Sequence, residues 1–142
     1  MKKLIFVVFT MTTVTFSAQE LTDQMKTMIK SDNTDEFSTF IKAEDINKCF
    51  NIKGDKYSLL SLAIKMDSEK FFDKLVSEKA DLNFVCDNKT PLMFAAKYGK
   101  TEMLKELLKN GVDKSAKSSS RGETAMDYAV KYKQSEIIEL LK

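Results

Sequence analysis

A short phrase recurs three times along this chain. It reads Ser58-Leu59-Leu60-Ser61-Leu62-Ala63, then Thr90-Pro91-Leu92-Met93-Phe94-Ala95-Ala96, then Thr124-Ala125-Met126-Asp127-Tyr128-Ala129, with openings 32 and 34 residues apart. Each phrase is followed by a polar gap and a second apolar segment: Phe71, Phe72 and Leu75-Val76; Met103-Leu104 and Leu107-Leu108; Ile137-Ile138 and Leu140-Leu141. Spacings of three and four put these side chains on one helical face. Each unit is therefore predicted to be a helix, a tight turn, a second helix and a loop leading back. One such pair cannot bury its own apolar face. The units must stack to form a continuous core.

The punctuation agrees with that plan. Gly99 lies in the turn after the second phrase, where reversing the chain would be costly for a residue with a side chain. Asn110-Gly111 is a good stop for the second helix of that unit, and Thr90-Pro91 a good start for its first. Lys79 matches Gly111 at the 32-residue spacing. Lysine is a poorer left-handed cap, so that unit is expected to end more loosely. Upstream, Leu21 to Ile29 and Thr34 to Ile41 form another candidate pair around Ser31-Asp32-Asn33, and Asp45-Ile46-Asn47 echoes Asp81-Leu82-Asn83. The expected fold is all-α, with about four stacked helix pairs at 19–43 (degenerate), 57–80, 90–111 and 124–142.

The unit Thr90-Pro91-Leu92-Met93-Phe94-Ala95-Ala96, with Gly99, Met103-Leu104, Leu107-Leu108 and Gly111-Val112-Asp113, resembles the ankyrin repeat. The resemblance covers residues 44–142, with 19–43 as a degenerate N-terminal cap. It implies a solenoid of antiparallel helix pairs, with loops projecting at one edge and a concave face that binds another protein. There are departures from the family pattern. Met93 stands where the family usually has a histidine that braces the loop, and the chain contains 0 histidines. The last unit has Ala125 in place of proline and Lys133 in place of the turn glycine, as a terminal cap exposed to solvent on one side could tolerate.

Residues 1–18 read as a secretory signal peptide: Lys2 and Lys3, an uncharged and largely apolar run from Leu4 to Phe16, then Ser17 and Ala18. The run is short of the roughly 20 residues a membrane span requires, so no stable membrane insertion is expected. Residues 19–142 are then the mature domain, placed in the periplasm or outside the cell. Losing Lys2 and Lys3 brings the 23 basic residues down to 21, equal to the 21 acidic ones. A neutral domain without a long Lys/Arg cluster argues against nucleic acid as a partner.

The missing residue types exclude much chemistry. Without histidine there is no Ser/His/Asp or Cys/His nucleophile and no histidine-containing zinc site, and no cofactor or metal is expected. Acidic pairs such as Asp67 with Glu69 and Glu136 with Glu139 read as solvated helix faces rather than catalytic carboxylates. An enzyme is thus the remote alternative to a binding module, behind a structural subunit of an exported assembly. Cys49 and Cys86 are the only cysteines. An oxidising compartment would permit a disulfide between them. They could equally remain two partly buried thiols near turns.

The binding residues come from register. Lys65, Lys97 and Lys131 each follow the matching alanine of their first helix by two positions, with Met66, Tyr98 and Tyr132 beside them. The resemblance places such positions on the exposed binding face. A row of lysines beside large, partly apolar side chains suits a protein partner with an acidic surface. Tyrosines that merely cover the seams between units, with lysines keeping the face soluble, would give the same pattern. Arg121, on the serine-rich loop before Thr124, extends the basic row; that loop reads either as flexible or as a partner contact.

Overall fold

A computed structural model describes residues 21–142. The leader assigned to 1–18 lies outside the described residues. The chain runs through α1 (Asp23–Lys30), two single turns, α2 (Phe37–Phe40) and α3 (Ala43–Ile46), and a hairpin of β1 (Phe50–Ile52) and β2 (Asp55–Tyr57). Three helix pairs follow: α4 (Leu59–Met66) with α5 (Glu69–Ser77), α6 (Pro91–Tyr98) with α7 (Thr101–Lys109), and α8 (Ala125–Lys131) with α9 (Ser135–Leu141). Apart from the hairpin the described fold is helical. First helices pack in sequence, α1 on α4, α4 on α6 and α6 on α8, and α4, α6 and α8 each pack on their own second helix.

Each first helix starts on a hydroxyl. Thr22, Ser58, Thr90 and Thr124 accept a hydrogen bond from the amide three residues on, satisfying one of the helix's orphan donors. The residue donating that amide returns the bond differently in each unit. Ser61 does so through its hydroxyl, and Asp127 through a carboxylate that accepts from the Thr124 amide at 2.8 Å. Hydrogen bonds from the amide and hydroxyl of Thr124 hold the Asp127 carboxyl below its usual range. In the middle unit the thioether of Met93 accepts from the Thr90 amide at 3.5 Å, so sulfur takes over the brace that histidine usually supplies.

Small residues let the first helices approach. Ala63, Ala95, Ala96 and Ala129 are all fully buried between neighbouring units. The second helices bury one stripe each: Phe71, Phe72 and Leu75; Met103, Leu104 and Leu107; Ile137 and Leu141. One apolar cluster runs unbroken from Leu21 to Leu141. Side chains and amides also tie the units together. Asn47 accepts from the Asp81 amide at 2.8 Å and Asn83 from the Asp113 amide at 3.3 Å, a bond repeated from unit to unit.

Three expectations need correction. The helix predicted at 34–41 is reduced to α2, because Ile41 adopts extended backbone and Asp45 caps the Lys42 amide at 3.1 Å to begin a new turn. Phe37 still fills the second-helix place, its ring 5.3 Å from that of Phe71. The expected all-α fold omits the β1–β2 hairpin. Its turn is Lys53-Gly54, both left-handed, as a two-residue hairpin requires. The end of α5 is not loose. Lys79 takes φ 63° and the Ala80 amide reaches the Leu75 carbonyl at 3.0 Å, the closure that Val112 and Leu107 make at 3.4 Å after Gly111.

Candidate functional site

The exposed ends of the first helices and the loops before them form one surface, and its chemistry depends on register. Lys65, Lys97 and Lys131 sit in the last turns of α4, α6 and α8, where a cation complements the helix dipole. Aromatic rings lie between them. Lys65 Nζ is 4.3 Å from the Tyr57 ring centre and 6.0 Å from that of Tyr98, and Lys97 Nζ is 5.2 Å from Tyr98 and 5.9 Å from Tyr132. Lys131 Nζ closes the series 6.0 Å from Tyr132. Cations and rings alternate across three units, within the range of cation-π attraction.

Tyr57 is the member sequence reasoning missed. Met66, expected beside Lys65 in register with Tyr98 and Tyr132, is 38% exposed but enters none of these ring contacts. Tyr57 ends β2, accepts a hydrogen bond from Lys65 Nζ at 2.7 Å and is itself buried. Its position directly before the Ser58 cap was the available signal. The equivalent residues in the later units are Lys89 and Glu123, each eight positions before its lysine.

The two tyrosines of the row differ. Tyr98 is half-buried and stacks on Phe94 at 6.3 Å, sealing the seam between units as well as facing outward. Tyr132 is 41% exposed. Burial raises the pKa values of Tyr57 and Tyr98 above the ordinary phenol value. Tyr128 beneath the row is pushed up to about 12, by burial first and then by the neighbouring Glu123 carboxylate.

Between the loop tips of the second and third units lies a groove of about 340 Å³. It collects Lys97, Arg121, Lys131 and Tyr132 from the residues assigned by register, and adds Lys89 and Glu123. Lys65, Met66 and Tyr98 lie outside it. The serine-rich loop forms one wall and is fastened to itself: Ser118 is buried, its amide donates to the Glu123 carbonyl at 2.8 Å, and its hydroxyl accepts from the Glu123 amide at 3.0 Å. The opposite wall is the tight turn Cys86 to Lys89, whose cysteine is bonded to Cys49 with alpha carbons 5.8 Å apart. A depression of about 380 Å³ at the N-terminal end holds none of the assigned residues, and its charged lining, Asp23 and Glu36, is acidic.

Among the described residues no group of three or more His, Cys, Asp or Glu side chains could hold a metal ion. No helix there is long and apolar enough to cross a membrane.

A family model described as ankyrin repeats, in three copies, matches residues 60–142. An ankyrin repeat protein of Fowlpox virus (strain NVSL) is 34% identical over 89 residues, 61% of this chain and 26% of the viral protein. The chain thus spans about a quarter of the length of that relative.

Proposed function

The chain belongs to the ankyrin-repeat family, a non-catalytic scaffold for protein–protein interaction, and from that premise we propose that it is an exported binding module. In this reading the helix pairs form a short solenoid of about four units, the first degenerate, and the partner docks on the concave face and loop edge. The observation that carries it is the alternating row Tyr57, Lys65, Tyr98, Lys97, Tyr132 and Lys131. Lysines held among rings put cationic groups and apolar area on the same surface. That chemistry fits a protein partner with an acidic patch.

Export to the periplasm or beyond is supported by the Lys2-Lys3 leader, the Leu4 to Phe16 run and the small residues Ser17 and Ala18. The cysteine geometry is consistent with an oxidising compartment.

Affinity capture with the tagged full-length protein, expressed in its own cell, tests both parts. Intact mass should show the loss of residues 1–18. A stoichiometric partner should be captured by the wild type and lost with Tyr132→Ala combined with Lys97→Glu, two changes at exposed or half-exposed positions. A partner retained undiminished by that variant would move the interface elsewhere. A partner from which the protein is never found free would favour the structural-subunit reading instead.

A further inference from the structure

The three lysines of the row are not equivalent. Eight positions before each stands the residue that flanks the helix cap: Tyr57 for Lys65, Glu123 for Lys131, and Lys89 for Lys97. In the first unit Tyr57 accepts a hydrogen bond from its lysine at 2.7 Å, and in the third Glu123 pairs with Lys131 at 3.5 Å. In the middle unit the corresponding group is another cation, and Lys89 instead turns to Asp87 at 2.6 Å. Both carboxylates of the groove are thereby engaged, Asp87 by Lys89 and Glu123 by Lys131. Among the described residues Lys97 and Arg121, which line the same groove, form no ion pair.

The groove is also built before anything enters it. Its turn, Asp87-Asn88, has both residues left-handed at φ 50° and 60°, a conformation suited to Asp and Asn and closed by the two Cys86–Lys89 backbone bonds of 3.1 and 3.0 Å. On one side Cys86 is bonded to Cys49 of the preceding loop, and on the other Asn88 accepts from the Ser119 hydroxyl at 2.6 Å. The turn carrying Lys89 is therefore tied to both neighbouring loops. Ordering that loop edge in advance removes an entropic cost from binding.

We propose that this groove seats a carboxylate from an acidic segment of the bound protein between Lys97 and Arg121, and that the Cys49–Cys86 disulfide holds the turn walling the seat. This inference rests on the protein-binding reading and assigns it a central register. The third unit supplies the precedent for a carboxylate at this level, since Glu123 occupies the place that the middle unit leaves to a cation. The partner's acid would complete the middle register from outside.

The test uses a fluorescent Glu-Gly repeat peptide, its Gln-Gly counterpart and a phosphoserine-Gly counterpart, with anisotropy read on the mature protein at two salt concentrations. Thiol titration of the unfolded, unreduced protein is done first, and two free thiols would remove the disulfide from the proposal. The Glu peptide should bind and the Gln peptide should not, with affinity falling as salt rises. Lys97→Gln and Arg121→Gln should each weaken binding about tenfold, whereas Lys56→Gln with Lys114→Gln, outside the groove, should leave it within about twofold. Cys49→Ser with Cys86→Ser should weaken binding at least threefold while thermal unfolding remains cooperative. Equal loss in the Lys56/Lys114 variant would reduce the effect to general charge. Preference for the phosphoserine peptide would overturn the carboxylate assignment, and unchanged affinity in the serine variant would overturn the role of the disulfide. The same variants are carried into capture of the native partner. Capture that needs Lys65 and Tyr98, which lie outside the groove, but ignores Arg121 would discard the groove and leave the binding module standing.

Discussion

Replacing Leu107 with alanine should be among the costliest single truncations in this chain. Leu107 is fully buried on the inward face of α7, in the middle unit of the stack. The change removes three carbons from a site without water, a transfer loss of about 2.4 kcal/mol at about 0.8 kcal/mol per methylene-sized group. If about 50 Å³ of the vacated space stays open, a cavity cost near 24 cal/mol per Å³ adds about 1.2 kcal/mol. The expected loss is about 3.5 kcal/mol, within the range of about 2 to 5 found for such truncations. Leu108, next in sequence, is only half-buried, so Leu108→Ala should cost less than half as much. Urea unfolding followed by far-UV circular dichroism measures both. For a slope of about 1 to 3 kcal/mol per molar, the Leu107 midpoint should fall by about 1 to 3 M with the slope unchanged. A loss below about 1 kcal/mol, or one no larger than that of Leu108→Ala, would mean that the face of α7 has been assigned wrongly.

Two further outcomes follow from backbone and ionisation. Lys79→Gly should raise stability by about 0.5 to 1 kcal/mol, because glycine relieves the left-handed strain at φ 63° without disturbing the closing bonds. A thermal melt that moves downward would contradict it. The raised pKa values of Tyr57, Tyr98 and Tyr128 mean that above about pH 10 the fold holds neutral phenols that the unfolded chain ionises. Their contribution is whole below the unfolded value of about 10 and is lost as pH rises through the folded values, toward about 12 for Tyr128. Phenolate absorbance with parallel urea melts from pH 9 to 12 checks this. Stability that rises over that window would reverse the sign.

Much of this was legible in the residues. The recurring phrase and the stripes at Phe71, Met103 and Ile137 specify paired helices, because local periodicity and capping operate within a few residues of chain. Lys65, Lys97 and Lys131 also fall on one surface, since equal spacing from matching alanines places them at equal heights in successive units. The row of lysines and rings was incomplete for a local reason. Tyr57 ends a hairpin that an all-α expectation leaves out, and Lys53-Gly54 is its whole local signal.

Local pattern along the chain is enough to set the units, their order and the face each helix buries, because those depend on contacts between near neighbours. Which groups meet across units is set by the stacking. It shortened the helix predicted at 34–41 to a single turn, brought Cys49 beside Cys86 across 37 residues, and put Ser119 against Asn88. It also gave Glu123 to Lys131 and put Lys97 in the lining of one groove with Lys89 and Arg121. Register along the chain fixes where a side chain stands within its unit. Only the stacking of one unit on the next decides which charge it meets there.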